Sequence, residues 1–284
     1  MLHVMANSGW SWHLFAAPAI WIAWMRRCPV VLNYRGGEAD PFLARALSWV
    51  RPSMARAGAV IVPSGYLEMV FAKYGLACRV VPNIIDLARF APAPPAPPAA
   101  MAAPRVLVAR HLEAIYDNAS ALRAFALLLA QYPVATMVIA GSGPLRAALE
   151  DLARELGVAP RVRFTGRVEN AEMAALYRNA DLMLNPSTVD NMPNSVLEAM
   201  ASGVPVVSTD VGGLPFLVRD GVSALLVPPA APEAMAAAML RLIRQPALAA
   251  TLREAGLRQV EQYTWGAVRP VLFSVYRDVL DRPS

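Results

Sequence analysis

At 284 residues the chain is long for one α/β domain and comfortable for two, and it can bury a sizeable core without disulfides or metals. Apolar residues make up 56% and charged residues 17%, which excludes a disordered chain. The net charge of +5 suits a phosphorylated ligand or an anionic surface, but the basic residues are scattered, which excludes a nucleic-acid-binding tract. Two cysteines without a CxxC pair give no disulfide framework and fit a reducing compartment, so a cytoplasmic location is expected. The three histidines have no metal-ligand spacing.

In chain order, Leu2–Met5 reads as a strand. The stretch Ser8-Gly9-Trp10-Ser11-Trp12-His13 follows its carboxyl end, where α/β proteins bind ligands. His13 and the tryptophans are then either an acceptor-site lining, or core tryptophans beside a satisfied helix histidine. Leu14–Met25 is apolar and ends at Arg26 and Arg27. It is too short to span a bilayer and lacks the leading positive charge of a signal peptide. A buried helix is expected, with a peripheral membrane contact as the alternative. Val30–Tyr34 and Ala59–Val62 read as further strands. So few strands over about 90 residues leave open edges, and the reading is that the N-terminal part is incomplete.

Ala91–Ala103, APAPPAPPAAMAA, cannot build a helix or strand interior and reads as an extended linker over 91–104, separating 1–90 from 105–262. Beyond it, strands are expected at 105–109, 135–140, 162–164, 181–185, 204–208 and 224–227. Helices are expected at 119–129, 144–156, 171–179 and 194–201. That alternation, with near-continuous apolar strands, implies a parallel doubly wound sheet. Trp265–Leu280, in the last segment 263–284, reads as an apolar helix interrupted early by Pro270 and packing back on the first part.

The densest chemistry lies between Asn185 and Val207. A strand ends near Asn185, a polar loop holds Asp190, and a short helix begins near Pro193 or Asn194 and stops at Gly203. Its amino end suits a phosphate. Glu198, one turn in, points back toward that end, where a carboxylate can accept two vicinal hydroxyls, as on a ribose. Asp190 precedes the helix, on the side where a sugar would lie. The alternative reading is helix capping and surface charge.

This stretch resembles the acidic-x7-Glu signature of retaining GT-B glycosyltransferases of family four, the glycosyl transferases group 1 type. Asp190 is followed by seven residues, Glu198, and then Ala-Met-Ala-Ser-Gly-Val-Pro-Val-Val. Pro82-Asn83-Ile84-Ile85-Asp86 with Phe90, Gly141-Ser142-Gly143-Pro144, Phe164-Thr165-Gly166, Ala180-Asp181 and Val211-Gly212-Gly213 fall in the same family order. The resemblance implies an α/β fold of two Rossmann-like lobes facing a cleft, with the N-terminal lobe shortened. It implies that Asp190 holds the donor sugar, that Glu198 holds the ribose, and that Asn191, Met192, Pro193, Asn194 and Ser195 face sugar and diphosphate. Gly141 and Gly143 would line the substrate, unless they only shape the strand-to-helix turn.

The family also has an Arg after the first strand of this lobe and a Lys-Gly a few residues on. Arg110 fits the first position, as a bidentate diphosphate ligand. The second has no lysine; Ile115-Tyr116-Asp117-Asn118 stands there. Arg35, where the family usually has a strand ending in His-Gly, either supplies the missing charge or orders a turn. The expected activity is hexose transfer with retention, from a UDP- or GDP-sugar to a sugar, lipid-linked or small-molecule acceptor. The resemblance implies no cofactor and no divalent metal, and the sequence has no Asp-x-Asp that would hold one. A non-catalytic nucleotide-sugar-binding module and a sugar-nucleotide epimerase or hydrolase remain the alternatives.

Overall fold

A computed structural model describes residues 1–92 and 102–281. Of the expected linker, residues 93–101 lie outside the described residues. The chain forms two units, one of 1–84, 190–192 and 265–284, the other of 85–189 and 193–264.

The first unit carries a parallel four-stranded sheet in the order β1 (Leu2–Ala6), β2 (Val30–Tyr34), β3 (Ala59–Val62), β4 (Arg79–Val80). β1 meets β2 with Leu2 opposite Val30 and Ala6 opposite Tyr34. The two-residue β4 extends the three strands read from sequence; so short a strand leaves no pattern. The helices here are α1 (Ala17–Met25), α2 (Ala39–Met54) and α3 (Gly65–Lys73), with Trp12–Ala16 wound as a π-helical turn ahead of α1.

β2 is buried along its whole length, as a parallel strand covered on both faces must be. Leu32 and Tyr34 join a core with Trp12, Leu43 and Phe71, while Val31 joins Ile61, Val268, Val275 and Val279 on the other face.

Two expectations fail in this unit. Leu14–Met25 is not a buried helix: its inward stripe is Trp12, Ala16, Ile20 and Ala23, while Leu14, Phe15, Ile22, Trp24 and Met25 are exposed. A helix that is apolar all round carries no signal of which side the sheet will take. The tryptophans also divide, with Trp12 fully buried and Trp10 77% exposed. Trp10 stands just after Gly9 (φ +68°), before the turn that carries Trp12 inward.

The second unit holds a parallel six-stranded sheet of β5 (Arg105–Ala109), β6 (Thr136–Ala140), β7 (Val162–Gly166), β8 (Leu182–Asn185), β9 (Val206–Thr209) and β10 (Leu225–Val227). The order β10-β9-β8-β5-β6-β7 is the doubly wound arrangement. Its helices are α4 (Asn118–Leu129), α5 (Arg146–Glu155), α6 (Asn170–Arg178), α7 (Asn194–Ala201), α8 (Leu214–Leu217), α9 (Pro232–Arg244) and α10 (Pro246–Val260). Val106, Val108, Met137 and Ile139 share one core with α4, α5 and α9, and α10 packs on α7.

The last helix, α11 (Trp265–Leu280), belongs to the first unit, where it supplies Val268, Val275 and Val279 to the core beside β2 and β3. Pro270 does not interrupt it. The carbonyl that proline leaves without a helical donor belongs to Gly266, on an exposed first turn where solvent can serve it.

Candidate functional site

In the second unit, β5 and β8 are neighbours from which the chain winds in opposite directions, the position where doubly wound sheets bind ligands. Arg110 follows β5 and Asn185 ends β8. Asn185 is fully buried, and its amide is a polar node. Its Oδ1 accepts from Arg110 Nε at 2.6 Å and from Ser187 Oγ at 3.0 Å, and its Nδ2 donates to Ser208 Oγ at 2.9 Å. Arg110 is therefore fixed by a side chain inside the sheet, and its guanidinium carbon lies 5.2 Å from the centre of the Tyr116 ring.

Glu198 stands in α7, which opens on Pro193 without a side-chain cap. The carboxylate reaches back toward the opening of its helix, as its position predicts. The hydroxyl of Tyr177, from α6, lies 3.0 Å from both Glu198 Oε2 and the Ser195 carbonyl, so its one proton serves two acceptors. Burial raises the Glu198 pKa, against the Tyr177 hydrogen bond and the charge of Arg110. Tyr177, fully buried, is pushed well above the ordinary phenol value by burial and by Glu198. Ser195 Oγ is buried with no hydrogen-bond partner among the described residues, which suits a hydroxyl kept for a ligand.

The Gly141-Ser142-Gly143 turn has an internal reason for its glycines. A Cβ on Gly141 (φ +155°) would lie 2.0 Å from the Arg110 carbonyl oxygen, and one on Gly143 would lie 2.4 Å from that of Leu112. The turn clasps the segment after β5, with Arg110 N–H donating to the Ala140 carbonyl and Leu112 N–H to that of Ser142. Asp117, near where the family lysine would stand, takes a left-handed backbone (φ +38°) and caps α4 by accepting from Ser120 N–H. Its carboxylate is committed to the helix end.

The segment Asp190–Met192 groups with the first unit. Asp190 Oδ1 accepts from the Asn191 N–H at 3.0 Å. Asn83 Nδ2 donates to the Met192 carbonyl at 2.8 Å, and Ser64 Oγ, which also caps α3, donates to Asn191 Oδ1. Arg35 donates to Asn83 Oδ1 and is lowered in pKa by burial while remaining a cation. The structure therefore joins Arg35 to Met192 through Asn83, while Ser64 holds Asn191. His13 stays outside these bonds: exposed, it makes edge contacts with Trp10 and Phe42 at 6.3 and 6.0 Å between ring centres.

Tyr177, Asn185, Ser64 and Asn83 were not read from sequence as site residues. Tyr177 is hidden by an apolar helix pattern and lies 21 positions from Glu198. An asparagine closing an otherwise apolar strand was the available signal for Asn185.

Residues 100–245 match the family described as Glycosyl transferases group 1, and residues 7–89 match Glycosyltransferase Family 4. Among curated proteins, a D-inositol 3-phosphate glycosyltransferase of Thermobispora bispora is 36% identical over 170 residues, 57% of this chain and 40% of the relative. One from Saccharomonospora viridis is 33% identical over 218 residues, 72% of this chain and 51% of the relative. The chain thus spans about half the length of these relatives.

Among solved structures, sucrose-phosphate synthase from Thermosynechococcus elongatus superposes with a TM-score of 0.77 at 23% identity, over 98% of this chain and 73% of that one. Anabaena HepE in complex with UDP-glucose superposes with a TM-score of 0.77 at 20% identity, over 93% of this chain and 75% of that one. At such identities these likenesses establish the fold, two parallel α/β sheets of the GT-B type. With just over half of its residues inside the first family match, and the acidic-x7-Glu stretch within that match, the chain belongs to the glycosyl transferases of group 1.

Proposed function

We propose that the protein is a retaining hexosyltransferase that uses a nucleotide diphospho-sugar. The observation that carries this reading is the pairing of Arg110, fixed by Asn185, with Glu198, fixed by Tyr177, in one α/β unit whose switch point Arg110 and Asn185 flank. Glu198 accepts the ribose hydroxyls. Arg110 binds the diphosphate and stabilises its charge as it leaves. Asp190 takes hydroxyls of the donor sugar, and the backbone from Asn191 to Ser195 faces sugar and phosphate.

In the reaction the bond from the anomeric carbon to the diphosphate oxygen breaks. The acceptor oxygen bonds to that carbon on the same face, and the acceptor proton passes to the departing diphosphate. No metal is assigned a step. Arg35 is assigned the charge that the absent lysine would supply. Arg35→Ala then weakens nucleotide-sugar binding, and an unchanged dissociation constant rejects that assignment.

HepE is solved with UDP-glucose, which favours a UDP-hexose as the first donor to try over a GDP-hexose. The name of the inositol phosphate relatives makes a phosphorylated polyol the first acceptor, ahead of other sugars or a lipid-linked acceptor. The test is incubation with labelled UDP- and GDP-hexoses, with and without acceptor, and assignment of the product anomer by NMR. Retention in an acceptor-dependent product supports the reading; inverted product, free sugar or an epimer contradicts it.

One observation favours a second reading, a nucleotide-sugar-binding module without turnover: Asp117, near the lysine position, spends its carboxylate on capping α4. Saturable donor binding with no product under any acceptor would select that reading.

A further inference from the structure

The guanidinium group of Arg110 is held in more than one way. One hold comes from inside the sheet, where Nε donates to Asn185 Oδ1 at 2.6 Å. That amide is oriented by its own neighbours. Ser208 Oγ donates to the Thr209 carbonyl at 3.2 Å, so toward Asn185 Nδ2 it acts as the acceptor. The Asn185 oxygen is left to face Arg110 and Ser187. One hydrogen bond at Nε places an edge of the guanidinium but does not set its plane. A second hold is the Tyr116 ring, over which the guanidinium carbon lies 5.2 Å from the centre, inside the ~6 Å reach of a cation–π contact.

The backbone that carries this ring is tied on both sides. Ala114–Tyr116 is a 3₁₀ turn. Its Ile115 carbonyl accepts from Thr188 N–H at 2.8 Å and from Thr188 Oγ1 at 3.1 Å, which fastens the turn to the segment after β8. Just past Tyr116 the chain reverses through the left-handed Asp117 and enters α4. There the buried Asn118 sends Nδ2 back to the His111 carbonyl at 2.9 Å, so the loop from Arg110 to Asn118 closes on itself. The His111 ring lies 6.2 Å from the Tyr116 ring centre, with its Nδ1 3.3 Å from the Ser142 carbonyl. A half-buried tyrosine on a loop so tied keeps one position, which is what a brace requires.

We propose that Tyr116 is a positioning residue for Arg110: its ring sets the plane of the guanidinium, so that the terminal nitrogens meet a diphosphate two at a time. This rests on the reading that Arg110 binds the diphosphate. The ring does the work and not the hydroxyl, so phenylalanine can replace Tyr116 and leucine cannot.

The experiment is calorimetric titration of UDP, UMP, GDP and GMP into the 284-residue chain, Tyr116→Leu and Tyr116→Phe, with a melting curve for each protein. A cation–π contact at a half-exposed site corresponds to about fivefold in affinity. Tyr116→Leu should therefore weaken diphosphate binding about fivefold or more and monophosphate binding less than about twofold, and should melt with the wild type. Tyr116→Phe should return the diphosphate affinity to within about twofold of wild type. Equal losses for diphosphate and monophosphate would make Tyr116 a structural residue only. A loss in Tyr116→Phe as large as in Tyr116→Leu would move the effect to the hydroxyl. A diphosphate constant unchanged in Tyr116→Leu would show that Asn185 suffices. Each of these overturns the proposal and leaves the assignment of Arg110 standing, whereas no nucleotide binding by folded wild type overturns both.

Discussion

Glu198 is held in a way that costs the folded protein something. Burial raises its pKa above the unfolded value, so over the interval between the two the folded state binds more protons. Its contribution is favourable below the unfolded pKa and is lost as pH rises through the folded one. Glu198→Gln, which cannot ionise, should therefore melt about 2–4 °C above wild type at neutral to alkaline pH, a gap equivalent to ~1 kcal/mol that closes near pH 4. Calorimetric scans at both pH values check this; a gap that widens on acidification contradicts it. Tyr177→Phe strips the shared proton from Glu198 Oε2 and the Ser195 carbonyl, with an expected cost of ~1–3 kcal/mol in urea denaturation and a several-fold loss of nucleotide affinity. Arg110→Lys keeps charge but loses the Nε contact to Asn185. It should lower turnover about a hundredfold, while a change in KM alone would make Arg110 a simple binding group.

The elements of the second unit were largely legible because each strand there is a short apolar run closed by a turn residue. β5 has the expected bounds, as does α7. What sequence could not give was orientation. The segment ending in α1 is apolar on every side, and only the sheet decides that Trp12, Ala16, Ile20 and Ala23 face inward. Pro270 likewise looked like a helix break, because its cost depends on whether the orphaned carbonyl reaches solvent. The glycines separate by the same logic. Gly141→Ala would force a Cβ against the Arg110 carbonyl, and a loss of ~2 kcal/mol or more with weakened nucleotide binding is expected. Gly221 also has a positive φ, +68°, but nothing within 4 Å of its Cβ position, so Gly221→Ala should cost only ~1 kcal/mol and leave binding intact. Equal effects of the two would mean that the turn at Gly141 does not brace Arg110.

At the scale of the molecule, two parallel α/β sheets and membership of the glycosyl transferases of group 1 were foreshadowed by the spacing from Asp190 to Glu198 and by the strand-helix alternation around it. The supporting residues were not. Tyr177, Asn185, Ser64 and Asn83 are polar groups that each bond to at least one partner 18 to 127 positions away, a separation that only the folded chain closes. The central claim is that Glu198 and Arg110 hold a nucleoside diphosphate. It is tested most directly by calorimetric titration of UDP and of GDP into wild type, Glu198→Ala and Arg110→Ala. Saturable binding of at least one nucleotide by wild type is predicted, weakened about tenfold or more by either substitution in proteins that still melt cooperatively. A dissociation constant unchanged by both substitutions, or no nucleotide binding by folded wild type, would contradict the account.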